Sequence, residues 1–272
     1  MKIAIIGATG NVGRKMLEVL EKKKLPVDQL YLVASTRTAG QKISFNSKNY
    51  EVLNLETYDF SKAEITFFAA GGKISKQYAE KAAKHTTVID NSSFFRMDPD
   101  VPLIVPQVNP ENIHDLKKNI IANPNCSTAQ LVIALKPLHD EFRILRVVLS
   151  TYQSVSGGGK ASMDELIEQT KLFLDKKKIK SKNFTKQIAF NVIPHIDMFA
   201  DDGYTKEELK MVNETKKILD DKIELTATCV RVPVLISHAE SVNIEFEKSF
   251  SLDKIYSLLN SANGCKVYDK RE

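Results

Sequence analysis

Apolar residues in the first 122 positions fall into short continuous runs separated by amphipathic stretches. The runs KIAII after Met1, QLYLVAS at 29–35, EITFFAAGG at 64–72 and Thr87 to Ile89 are brief and apolar on both alternations, so they predict buried strands. Between them, Met16, Leu17 and Leu20 share a helical face, and ISKQYAEKAAKH at 74–85 opens a second helix. Strand alternating with helix predicts a parallel sheet wound on both faces.

The second half reads differently. RILRVVLSTYQSV at 143–155, KQIAFNVI at 186–193, IELTATCVRVPVL at 223–235 and ESVNIEF at 240–246 are long apolar runs expected to be strands of a second sheet with helices on it. In ASMDELIEQTKLFLDKKK at 161–178, Met163, Leu166, Ile167 and Leu174 stand at helical spacing and predict a packing helix with a solvated tail. Thr205 and Glu208 form a capping box ahead of a helix that carries Lys210. After a short strand and an Asn-Pro turn, CSTAQLVIALKPLHDEF predicts a helix with Leu131, Ile133 and Ala134 on its apolar face, ended or kinked by Pro137. These patterns divide the chain into a nucleotide-binding domain at 1–122 and a second domain at 123–272.

The first strand runs straight into GATGNVG, with Gly7, Gly10 and Gly13 three apart before a helix. Glycines there allow a tight turn and the approach of backbone N–H groups to a pyrophosphate at the helix N-terminus. The turn places Gly7, Thr9, Gly10, Asn11 and Val12 at a dinucleotide, and Gly71 and Gly72 close the strand EITFFAAGG in the same way. After the second strand come Ser35, Thr36 and Arg37 in place of the acidic residue that holds an NAD ribose. Hydroxyls beside a guanidinium suit a 2′-phosphate, so the expected cofactor is NADP, a plain polar turn being the alternative. Asn91, Ser92, Ser93 and Arg96 follow a strand, where such sheets place ligands; Arg96 can equally be a surface charge.

Cys126 stands at a helix opening, where unpaired N–H groups and the dipole favour the thiolate. It is the candidate nucleophile, whereas Cys229 and Cys265 read as packed thiols. Three scattered cysteines make no disulfide framework and suggest a cytoplasmic protein. No metal-ligand spacing, signal peptide or membrane span is present in the sequence, and a net charge of +5 spread among 34 acidic residues argues against a nucleic-acid partner. The expected ligands are small anionic molecules.

The blocks GATGNVG, DNSSFFRMD, VPQVNP, NPNCSTAQ, YQSVSGGGK, FNVIPHID, GYTKEELKMVNETKKIL and RVPVLISHAESVNIEF resemble, in order and over nearly the whole chain, those of the aspartate-β-semialdehyde dehydrogenase family. The resemblance implies an α/β fold: an N-terminal Rossmann-like doubly wound parallel sheet, then an α+β catalytic and dimerisation domain forming a homodimer. It implies NADPH-dependent reduction of L-aspartyl 4-phosphate to aspartate semialdehyde, on the way to lysine, threonine, methionine and diaminopimelate. Carried over onto matching positions, Cys126 attacks the acyl phosphate, His238 is the acid/base partner and Gln153 orients the substrate. Arg231 receives the substrate carboxylate, Glu207 its ammonium, and Arg96 and Lys210 its phosphate, while Ser156 and Gly157 lie near the cofactor. Without the resemblance, Glu207 and Lys210 read as an ordinary helical ion pair.

The chain ends at CKVYDKRE, earlier than family members usually do, and the expectation is a fragment or a shortened product with impaired activity. Two further readings stay open: a related N-acetylglutamyl-phosphate reductase, and a catalytically silent subunit that only binds or dimerises.

Overall fold

The run Lys2–Ile6 forms β1 in the computed structural model, which describes residues 1–268. Ile3, Ala4, Ile5 and Ile6 are all buried, so both faces of β1 are covered, as the unbroken apolar run requires. β1 lies at the middle of a sheet with β2 (Gln29–Ala34), β5 (Ile65–Phe68), β6 (Thr87–Asp90) and β7 (Ile120–Ala122), all paired in parallel. The order β3-β4-β2-β1-β5-β6-β7 reverses at β1, the turning point at which such Rossmann-like sheets bind ligands. The edge was not anticipated: β3 (Lys42–Phe45) and β4 (Lys48–Asn54) form a hairpin, with Asn46 and Ser47 in the left-handed region.

Two helices leave the carboxyl ends of this sheet without a side-chain cap. α1 (Asn11–Lys22) starts after Gly10 and α2 (Gly72–Ala83) after Gly71, so the first-turn N–H groups of each have no side-chain oxygen from their N-cap. Gly7 sits at φ +87, and a Cβ there would lie 2.9 Å from the Ala69 carbonyl. A Cβ on Gly13 would come within 2.4 Å of the Gly7 oxygen, so only glycine lets α1 press onto the turn.

The chain divides after Pro124, and a second unit begins at Asn125. Its sheet centres on β8 (Ile144–Gln153), antiparallel to β10 (His238–Phe246) and parallel to β9 (Glu224–Arg231). Leu131 and Leu135 of α3 (Cys126–Phe142) and Met211 of α5 (Lys206–Ile218) pack with Val147, Leu149, Ala227 and Cys229 of the sheet. Met211 is fully buried, worth about 1.5–3 kcal/mol, which fixes the rotation of α5. That rotation also buries Glu207, Glu208 and Glu214, an unusual load for a core-facing stripe. The capping box is formed, with Thr205 and Glu208 bonded reciprocally, and Glu208 also accepts from the Cys229 N–H. α6 (Leu252–Ser261), which the apolar pattern did not single out, is capped by Ser251.

Two expectations are corrected and a third is narrowed. The segment 186–193 is not a strand: Ile193 alone bridges to Arg231, and the N–H groups of Ile188 and Ala189 go to the side chain of Gln169. Of the two alternatives for Pro137, ending α3 is excluded, since the helix continues to Phe142 with Leu138 and Phe142 buried in the core. In α4 (Lys160–Leu174) Leu166 is buried, but Ile167 and Leu174 are exposed. The buried stripe of α4 instead includes Glu165 and Gln169, which receive N–H groups of the chain at 182–189; the Phe173 and Phe190 rings meet on the surface, tilted, with centroids 4.6 Å apart.

Candidate active site

Cross-strand register builds the site. His238, Gln153 and Arg231 are direct partners across β10, β8 and β9, and form one row at the sheet end. Asn125 caps α3, its Oδ1 accepting the Ser127 N–H at 2.9 Å, so Cys126 is the first residue of that helix. Its Sγ lies 3.2 Å from His238 Nε2 and its side chain reaches solvent. Gln153, 1% exposed, donates to Ser127 Oγ at 2.6 Å and to Glu207 Oε1 at 3.2 Å.

Glu207 gathers the polar groups. Oε1 also accepts from Asn125 Nδ2 at 2.9 Å, and Oε2 pairs with Lys210 Nζ at 3.0 Å; Lys210 continues to Asp197 Oδ2 at 2.9 Å. Burial pushes the Glu207 carboxyl up, but the Lys210 charge and the hydrogen bonds from Lys210, Asn125 and Gln153 outweigh it and leave it below its ordinary value. By the same balance, burial works against Lys210, and its two carboxylate neighbours hold its pKa above the ordinary value. Glu207 is therefore stabilising in its charged form, a contribution present above pH 4.5 and lost as pH falls through its lowered pKa.

The thiol departs from expectation. Ser127 hydrogen bonds favour the thiolate, as a helix N-terminus should, yet burial first and the Glu207 charge second push the Cys126 pKa up. Although the side chain reaches solvent, protein surrounds it on the remaining sides. His238 is shifted down, by burial first, with Arg231 adding to the shift against the pull of the Ser237 carbonyl. Both shifts favour the neutral forms, a protonated thiol and an unprotonated imidazole. His238 Nδ1 faces a donor, Ser154 N–H at 3.0 Å, and an acceptor, Ser237 O at 2.9 Å. Either ring nitrogen can thus carry the proton, which equips the ring to accept from sulfur or to donate to oxygen. Ser237 itself sits at φ +84, a strained conformation at the residue that aims the ring.

Arg231 is buried, donates to Ser154 O at 2.6 Å and lies against Gly157, where a Cβ would meet its Nη1 at 3.0 Å. Ser156 Oγ is 2.8 Å from Ser154 Oγ. In the first unit, Arg96 is buried, its Nε on the Asn123 carbonyl and its Nη2 on that of Asn91. The dinucleotide candidates emerge together at the ends of β1, β2 and β5, adjacent strands: the Gly7–Val12 turn, the exposed Ser35, Thr36 and Arg37, and Gly71 with Gly72. Thr9 Oγ1 meets Thr38 Oγ1 at 3.3 Å across two of them.

Sequence reasoning missed Asn125, Asp197 and Glu214. Asn125 was legible as the cap residue beside the cysteine, and Glu214 as the residue seven beyond Glu207 on one helical face. Asp197 carries no such signal, because an irregular segment brings it to Lys210.

Residues 2–116 match the semialdehyde dehydrogenase NAD binding domain, and residues 135–272 match the semialdehyde dehydrogenase dimerisation domain. An aspartate-semialdehyde dehydrogenase of Aquifex aeolicus is 52% identical over 98% of this chain and 80% of its own length. This chain belongs to the aspartate-semialdehyde dehydrogenase family. A crystal structure of aspartate semialdehyde dehydrogenase II complexed with ASA, from Vibrio cholerae, superposes with a TM-score of 0.98 at 48% identity, covering all of this chain and 82% of that one. The aspartate semialdehyde dehydrogenase of Candida albicans with NADP matches at a TM-score of 0.71 and 25% identity, over 96% of this chain and 76% of that one. Membership makes the chain an oxidoreductase of amino-acid biosynthesis. Among the described residues no helix is long and apolar enough to cross a membrane.

Glu207→Gln removes the charge that opposes the Cys126 thiolate. Iodoacetamide labelling of Cys126 is expected to move to lower pH in that variant. The KM for an amine-bearing substrate should rise roughly thirtyfold, the worth of one charge-assisted hydrogen bond of about 2 kcal/mol. An unmoved labelling profile with unchanged KM contradicts both roles.

Proposed function

We propose that this enzyme reduces L-aspartyl 4-phosphate with NADPH to L-aspartate 4-semialdehyde and phosphate, through a thioester on Cys126. The approach of Cys126 Sγ to His238 Nε2, in a row shared with Gln153 and Arg231, carries the proposal. His238 takes the thiol proton as sulfur attacks the acyl carbon, and phosphate leaves with its oxygen. NADPH supplies hydride to the thioester carbon. The former carbonyl oxygen takes the proton held by the His238 imidazolium; His238 withdraws it again as the carbon–sulfur bond breaks, leaving aldehyde and thiolate, and then returns it to sulfur.

Arg231 is suited to the substrate carboxylate, Glu207 to its ammonium, and Lys210 and Arg96 are the proposed phosphate ligands. Gln153 positions the acyl group without competing for the proton. The uncapped helix starts after Gly10 and Gly71 fit a pyrophosphate, and Ser35, Thr36 and Arg37, with no acidic residue among them, fit a 2′-phosphate. Ser156 and Gly157 are proposed at the nicotinamide end. The NADP in the Candida structure and the ASA in the Vibrio structure support these ligands. Apolar side chains exposed along α4 and at Phe190 support a homodimer, and reduced thiols support a cytoplasmic setting.

The test is phosphate-dependent reduction of NADP⁺ by aspartate semialdehyde, run beside N-acetylglutamate semialdehyde and beside NAD⁺. Intact mass after semialdehyde and NADP⁺ without phosphate should show an acyl adduct at Cys126. A preference for the acetylated substrate would select the reductase reading, since an acetylated amine needs no Glu207. No adduct and no NADPH fluorescence change would select the silent subunit.

A further inference from the structure

Glu214 is a carboxylate to which the proposed reaction gives no task. It lies 2% exposed on the buried face of α5, and its Oε2 accepts the backbone N–H of Asn125 at 2.6 Å. A carboxylate withdrawn from water is costly unless donors meet it, so its presence in a core-facing stripe calls for a reason.

One donor that meets it stands one residue before the nucleophile. Asn125 is engaged at every polar atom of its side chain and at its N–H: N–H to Glu214, Nδ2 to Glu207 Oε1 at 2.9 Å, and Oδ1 from the Ser127 N–H at 2.9 Å, with Cys126 Sγ 3.9 Å from that oxygen. Glu207 and Glu214 are seven residues apart, two turns on one face of α5, and between them they hold a single asparagine by its side chain and its main chain. The backbone of Asn125, at φ −55 and ψ 148, sets where α3 begins and so where Sγ points.

We propose that Glu214 is a positioning residue of the reaction: by fixing the main chain at Asn125 it sets Cys126 Sγ at its 3.2 Å approach to His238. The inference rests on the reading of Cys126 as nucleophile. A brace that serves folding alone lowers the amount of folded enzyme and leaves the turnover of each folded site intact. A positioning group lowers kcat at constant KM, because a displacement of about 1 Å costs on the order of a hundredfold in rate.

Glu214→Leu removes the acceptor, and Glu214→Gln keeps a carbonyl oxygen on the Asn125 N–H. With kcat expressed per folded site, the Leu variant is expected to fall about thirtyfold or more with both KM values within about threefold of the parent, and the Gln variant to recover to within about fivefold. A parent-like kcat in the Leu variant, or a loss confined to KM, overturns the proposal. Should circular dichroism show the Leu variant unfolded, Glu214→Asp, which withdraws the carboxylate by one methylene, is expected to lose about tenfold in kcat, and a parent-like value there overturns it instead. Cys126→Ser is assayed in parallel. An active serine variant overturns the nucleophile reading and this inference together, whereas an inactive one beside a parent-like Glu214 variant overturns this inference alone.

Discussion

Cys126→Ser is expected to lower kcat by roughly 10⁴- to 10⁶-fold, in line with removal of a nucleophile that acts as a unit with its base. The substitution leaves shape and helix capping almost unchanged, since the cap is Asn125 and not the thiol. What changes is chemistry: a hydroxyl ionises far less readily than sulfur, and an oxygen ester is a poorer hydride acceptor and leaving group than a thioester. NADPH binding should be untouched, which separates loss of reaction from loss of fold. Steady-state kinetics with a fluorescence titration check both. A serine enzyme within a hundredfold of the parent would show that sulfur is not the acyl carrier.

His238→Asn should cost about 10²- to 10⁴-fold in kcat, the range for a positioned acid/base. The resting protonation states define its pH dependence. The thiol is raised from 9.0 and the imidazole lowered from 6.5, so near pH 7 the proton stays on sulfur and the imidazole is vacant as a base. The parent should keep its activity until pH falls through the lowered imidazole value, below 6.5, and that acid limb should vanish in the Asn variant. Iodoacetamide at pH 5–6 tests the same point: a thiolate-imidazolium pair labels there and a neutral pair does not. Rapid labelling under those conditions would refute the assignment of charges.

Much of this was legible in the residues because local rules governed it. The β1 run, the glycine turn and the capping box at Thr205 are each decided within a few positions, and each appears as read. The run at 186–193 failed because Gln169, a polar residue of a helix, supplies the hydrogen-bond partner that a neighbouring strand would have supplied. The β3–β4 hairpin went unread although Asn46-Ser47 stands between alternating segments, a turn signal weaker than one with glycine. The position of Cys126 was visible, yet its ionisation was not. A helix opening argues for thiolate, and only the folded chain shows Glu207 brought beside it from 81 residues away by α5.

The row of His238, Gln153 and Arg231 has a consequence for how this enzyme can vary. Side chains alternate between sheet faces with a period of two, so deleting or inserting one residue within a strand sends every side chain beyond it to the opposite face. A single-codon deletion inside 144–153, between the anchored start of the strand and its glutamine, would leave composition almost intact and turn that amide away from its two neighbours. Length is therefore under tight constraint within these three strands, while tolerated insertions and deletions are expected to collect in the connections between them.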